Sequence, residues 1–116
     1  MTKRTTVEAA ELMLGQEIKA LDHGFVTPID YMGSDNDVVQ AARTSFGPSG
    51  RPIHDDRGLI RYLLRHRHTT PFEMLSVKFL CRMPIMVARQ WIRHRTAKVN
   101  EMSLRYAEPL EFFYVP

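Results

Sequence analysis

The hydrophobic period of this chain changes twice over three consecutive stretches, and that alternation restricts its folds more than any other feature. In RGLIRYLLRHRH, residues 57–68, Leu59, Tyr62, Leu63 and His66 recur at i, i+3, i+4 and i+7, the stripe of an amphipathic helix with a basic outer face. In PFEMLSVKFLCRM, residues 71–83, the period drops to two: Leu75, Val77, Phe79, Cys81 and Met83 alternate with Met74, Ser76, Lys78, Leu80 and Arg82, as in a half-buried strand with Cys81 facing the core. Pro84 then opens PIMVARQWIRH, where Ile85, Ala88 and Ile92 form a helical stripe extended by Val87 and by Trp91, read as core.

Further elements follow from local signals. Residues 6–19 form a short amphipathic helix interrupted by Gly15. HGFVTPIDYMG reads as a strand whose internal Pro28 suits an edge or the start of a pairing. SDND supplies N-cap chemistry for VVQAARTSF, which closes at Gly47, Pro48 and Gly50, and Asp55 and Asp56 announce the helix after it. Residues 95–105 read as a polar loop and LEFFYVP as a final strand. The expected class is α+β: a small, mostly antiparallel sheet packed with helices.

With 116 residues the chain has length for one domain and one core. Its longest apolar runs fall far short of a membrane span, and the start lacks a secretory leader's apolar stretch, so a cytoplasmic location is expected. The single cysteine, Cys81, fits a reducing compartment.

The net charge of +3 is small but concentrated, in residues 57–68 and again in 82–105. Two such segments point to anionic ligands. In RQWIRHRTAKVNEMSLRY, residues 89–106, Arg93, Arg95 and Arg105 with Asn100 and Ser103 make a candidate phosphate cradle, since the guanidinium fork matches phosphate oxygens; the alternative is a solvated helix end. Nucleic-acid binding is a third reading, opposed by the apolar setting of Trp91 and by interspersed carboxylates. Metal-ligand spacings, nucleophile elbows and glycine-rich nucleotide fingerprints are not found.

RHRTAKVNEMSLRY resembles the signature of the flavin-dependent thymidylate synthases, an Arg-His-Arg triplet followed after seven residues by serine. HTTPFE, PIMVARQWIRHR, AARTSF and EFFYVP also resemble family segments, in family order, so residues 24–116 are read as the family domain and 1–23 as an N-terminal extension, a short helix or a mobile end. The resemblance implies reductive methylation of dUMP, with FAD as cofactor, methylenetetrahydrofolate and NADPH as co-substrates, and a homotetramer. It places Ser45, His68, Thr70, Arg93, His94, Arg95 and Glu101 at FAD, and Gln90, Arg93, Glu101, Ser103 and Arg105 at dUMP, while Asn100 shapes the loop. Lys98 departs from the family's small polar residue. The family's C-terminal helical half, with its uracil-activating arginine, is not in this sequence, so the alternative is a catalytically incomplete flavin- and nucleotide-binding module.

Overall fold

The computed structural model describes residues 3–44 and 56–115. The elements run α1 (Glu8–Met13), β1 (Ile18–Ala20), β2 (Gly24–Met32), α2 (Asp35–Thr44), α3 (Asp56–Arg65), a 3-10 turn (Thr70–Met74), β3 (Ser76–Arg82) and α4 (Ile85–Trp91). The strands lie in the order β1-β2-β3, with β1 antiparallel to β2 through Ile18–Val26, Lys19–Phe25 and Ala20–Gly24. This is the expected α+β class. The chain divides into two compact units, Met1–Gly15 with Pro28–Phe79, and Gln16–Thr27 with Leu80–Pro116.

The first unit is built around α2 and α3. Helix α2 starts where SDND predicts: Ser34 N–H donates to Asp37 Oδ2 at 2.7 Å and Asp37 N–H donates back to the Ser34 carbonyl at 2.9 Å, while Asp35 and Asp37 place negative charge on the first turn. Val38, Val39 and Ala42 from α2 meet Leu59 and Leu63 from α3, and Ile60, Phe72 and Leu75 pack around them. Each pair, Val38–Ala42 and Leu59–Leu63, is four residues apart, so one helical face is buried. An exposed Arg43–Asp56 pair at 2.7 Å joins the same helices and adds at most about 1 kcal/mol. The Gly47, Pro48 and Gly50 closure and Asp55 lie outside the described residues.

Helix α3 ends in a Schellman motif. His68 N–H donates to the Leu63 carbonyl at 2.9 Å and Arg67 N–H to that of Leu64 at 3.2 Å, with Arg67 in the left-handed region at φ 54°. Glycine normally occupies this place, and a side chain there costs about 1–2 kcal/mol. The N-terminal residues are held locally: Val7 N–H donates to the Tyr31 hydroxyl at 2.8 Å, which donates to Glu11 at 2.7 Å, and Arg4 pairs with Asp30 at 2.7 Å while lying over the Tyr31 ring. Burial and the Glu11 carboxylate together push the Tyr31 phenol above its ordinary value. In β2, β1 covers only Gly24–Val26, so Pro28 sits past the end of that ladder and its carbonyl accepts from Gly15 N–H at 2.8 Å. The proline therefore removes no donor that β1 needed, even though β2 is the middle strand.

Several expectations are corrected. Residues 110–115 form no strand; Phe112 instead takes a cation–π contact from Arg82 at 5.1 Å and stacks on His23 at 4.8 Å. Strand β3 exists, but Val77 and Phe79 are as open as Leu80, and Cys81 is its only partly buried residue. The stripe of α4 is likewise open: Ile85 is 71% exposed and Trp91 50%, so Trp91 is not a core residue in this chain. On α3 the buried positions are Leu59 and Leu63, whereas Tyr62 and His66 lie outside the core, their rings 4.1 Å apart. A period states which face an element would bury, but burial needs an opposing surface: the face of α3 that meets α2 carries Leu59 and Leu63, while among the described residues of the second unit no apolar side chain is buried.

Gly33 and Gly15 both have positive φ, 93° and 78°, but a Cβ on Gly33 would lie 2.6 Å from Leu75 Cδ2, whereas one on Gly15 meets nothing within 4 Å. Gly33→Ala is expected to destabilise the chain by about 1–3 kcal/mol more than Gly15→Ala, read from urea midpoints; equal shifts would mean that Leu75 yields at no cost. Arg67→Gly is expected to stabilise the fold by about 1 kcal/mol in the same assay.

Candidate functional site

The signature segment begins where α4 ends. The helix closes with Ile92 N–H donating to the Ala88 carbonyl at 3.0 Å, and tighter turns follow: Arg93 N–H to Gln90 at 3.3 Å, His94 N–H to Trp91 at 3.1 Å and Ala97 N–H to His94 at 3.2 Å. These i to i+3 bonds turn the chain directly after the helix, so Arg93, His94 and Arg95 occupy successive exposed positions on a hydrogen-bonded turn. Ser103 organises the far end of the loop. Its Oγ accepts from Arg105 N–H at 3.2 Å and its carbonyl from Tyr106 and Ala107 N–H at 3.1 and 3.0 Å. With Oγ accepting, the hydroxyl proton remains available for a ligand oxygen.

The arginines divide by their partners. Arg89 donates to Glu101 Oε1 at 2.7 Å, tying the last turn of α4 to the loop. Arg93, Arg95 and Arg105 have no carboxylate partner among the described residues, and neither does Lys98. A guanidinium without a carboxylate partner can offer its fork to phosphate or carboxylate oxygens. Gln90 is exposed on the last turn of α4 and offers an amide with both donor and acceptor. Arg89 is the residue that sequence reasoning missed; its place in the same basic run was visible, but nothing in the spacing selected Glu101 as its partner.

The other expected residues belong to the first unit. His68 follows the Schellman turn and is exposed, its ring edge-on to Tyr62 at 6.2 Å. Thr70 opens the 3-10 turn, which is closed by Phe72 N–H donating to the Thr69 carbonyl at 3.0 Å. Ser45 lies outside the described residues. The structure thus places His68 and Thr70 in one unit and Gln90, Arg93, His94, Arg95, Glu101, Ser103 and Arg105 in the other.

Cys81 sits among none of these groups, and burial pushes its thiol above the ordinary value, so less thiolate is present at neutral pH. The pH midpoint of Cys81 alkylation by iodoacetamide is expected to lie higher in the folded chain than in urea; a lower folded midpoint would point to an activated thiol.

Comparison with known proteins gives a consistent result. Residues 28–116 match the family described as thymidylate synthase complementing protein. A flavin-dependent thymidylate synthase of Rickettsia typhi is 59% identical over 99% of this chain and 39% of its own length. One of Gluconobacter oxydans is 54% identical over the whole chain and 38% of its own. The chain therefore spans about two fifths of the curated relatives it matches. Among solved structures, the UMP/dUMP methylase PolB of Streptomyces cacaoi, bound with 5-Br dUMP, superposes with a TM-score of 0.72 at 45% identity, covering 85% of this chain and 44% of that one. No described helix is long and apolar enough to cross a membrane. The signature loop, the fold around it and these matches agree, and the chain belongs to the thymidylate synthase complementing protein family.

Proposed function

We propose that residues 24–116 are the flavin- and dUMP-binding part of a flavin-dependent thymidylate synthase, which methylates dUMP reductively with methylenetetrahydrofolate and NADPH, and that residues 1–23 extend it. The observation that carries this reading is the set of three guanidiniums, Arg93, Arg95 and Arg105, that have no carboxylate partner among the described residues and lie on one turn-organised segment with Ser103. The donor set suits both proposed ligands, because FAD carries a pyrophosphate and dUMP a phosphate monoester, and guanidinium forks neutralise both without a glycine-rich loop.

In this reading Ser103 and Arg105 hold the dUMP phosphate, the serine through its remaining hydroxyl proton and the arginine through its fork. Gln90 and Arg93 face the nucleotide from the end of α4, where the amide can match the alternating donors and acceptors of a uracil edge. Arg89 positions Glu101 through its 2.7 Å contact, so that the carboxylate is held in place for ligands. Arg93, His94 and Arg95, with Ser45, His68, Thr70 and Glu101, are assigned to FAD. When bound, the flavin supplies the redox chemistry and the protein contributes orientation and charge. Cytoplasmic location and a homotetramer belong to the same proposal.

In a second reading these 116 residues bind flavin and nucleotide without turnover. Two measurements separate the readings. Titrations should show FAD and dUMP binding, with Arg95→Ala weakening FAD, and Arg105→Ala weakening dUMP, by roughly tenfold to a hundredfold, the loss of one charged hydrogen-bond donor. Unchanged affinities would remove the site assignment. Release of tritium from carbon 5 of labelled dUMP, with all co-substrates present, identifies catalysis; binding without release identifies the incomplete module.

A further inference from the structure

Residues 3–15 precede the stretch that matches the family model and supply no residue to the flavin and dUMP assignments above. They include α1, a six-residue helix with no buried residue and no side-chain cap at Val7. A helix this short does not hold itself together in water, because the cost of its first turn is set against too few hydrogen bonds. Apolar burial does not explain it either: Leu12 is 68% exposed and Met13 46%, and only Val7, Ala10 and Leu14 are partly covered.

What the segment has instead is a set of polar contacts to β2. The Tyr31 hydroxyl accepts from Val7 N–H at 2.8 Å and donates its proton to Glu11 Oε1 at 2.7 Å, so one oxygen grips both ends of the first turn. That turn is closed from within by Glu11 N–H donating to the Val7 carbonyl at 2.9 Å. Arg4 lies over the Tyr31 ring at 4.6 Å, pairs with Asp30 at 2.7 Å and donates to the Tyr31 carbonyl at 3.2 Å. At the far end Gly15 N–H donates to the Pro28 carbonyl at 2.8 Å, and Gly15 itself turns at φ 78° with open space around it, as a hinge requires.

We propose that residues 3–14 form a detachable strap that closes over the end of β2 and opens as one unit about Gly15, with the Tyr31 hydroxyl as its pin. Helix formation and docking are then a single event, because the phenol that docks the segment also supplies the contact its first turn lacks. Opening uncovers the Pro28 and Tyr31 carbonyls, on the part of β2 that β1 does not pair. The pin works only while protonated: a phenolate cannot donate to Glu11 and faces the carboxylates of Glu11 and Asp30, with Arg4 as the opposing cation. Desolvation and the Glu11 carboxylate raise the phenol above its ordinary value, which has the matching sign, since the closed strap favours the neutral form. The strap's contribution is complete below the ordinary phenol range and is lost as pH rises through the raised value.

The test is amide hydrogen exchange of the 116-residue chain, read at Glu11 and Leu14 for the helix, at Gly15 for docking, and at Val39 and Leu63 for the α2–α3 core. The three strap amides are expected to be protected, yet to open more often than the core pair. Tyr31→Phe is expected to speed all three together by about tenfold or more, the loss of a hydrogen bond to a charged group, with Val39 and Leu63 unchanged. Arg4→Gln, whose side chain touches none of these amides, is expected to act in the same direction. In an NMR titration the Leu14 methyls are expected to shift in step with the Tyr31 ring, above the ordinary phenol value of about 10, and that step is expected to vanish in Tyr31→Phe. The proposal is overturned if the strap amides are unprotected in the unaltered chain, if Tyr31→Phe leaves them unchanged, or if Gly15 and the helix amides respond separately. Equal acceleration of the core amides would also overturn it, by making the segment part of the core. None of these readings involves FAD or dUMP, so failure of the functional proposal would appear separately, as absent ligand binding.

Discussion

Apolar contact between α2 and α3 is the constraint on which the rest of the described structure depends. Val38, Val39, Ala42, Leu59 and Leu63 are the buried apolar cluster, and they come from two ten-residue helices. Helices of that length are marginal alone in water, so their stability must come from the faces they share. The Ser34–Asp37 cap and the Schellman turn fix where each helix begins or ends, and hence which residues reach the contact. Phe72 and Leu75 then seat the 3-10 turn against that core, and the turn carries Thr70.

Charge is distributed by a different rule. Arg4, Arg43 and Arg89 are matched to carboxylates, and Arg82 lies over the rings of Phe25 and Phe112. Arg93, Arg95 and Arg105 in one unit, and Arg61, Arg65 and Arg67 in the other, have no such match among the described residues. An exposed ion pair contributes little to stability, so pairing matters more for which cations remain to meet a ligand. The guanidinium is well suited to that use because it stays charged at any working pH.

Most of the local structure was legible in residue order, for reasons that act over a few residues. Ser34 and Asp37 mark a helix start because the Asp37 carboxylate accepts from the Ser34 backbone N–H, and the change of period at Leu75 marks a strand because side chains alternate across a pleat. The basic loop segment was visible too, because Arg93, Arg95 and Arg105 lie on one continuous stretch. The Arg89–Glu101 contact was not, since twelve residues separate the partners and loop geometry alone brings them together. Trp91 and Phe112 were misread for a related cause: an apolar stripe and a β-prone run describe what an element would bury or pair with, and neither says whether a partner exists.

The sequence by itself determined the helix start at Ser34, the presence of β2 and β3, the basic segment and the family to which the chain is similar, because propensity, capping and charge are properties of neighbours along the chain. Only the tertiary structure decided that Leu59 and Leu63 are buried while Tyr62 and His66 are not, that Cys81 is merely half-covered, that Glu101 is held by Arg89, and that Phe112 meets Arg82 rather than a strand. Burial and pairing are relations between segments distant in the chain, and their energy exists only once both surfaces have met.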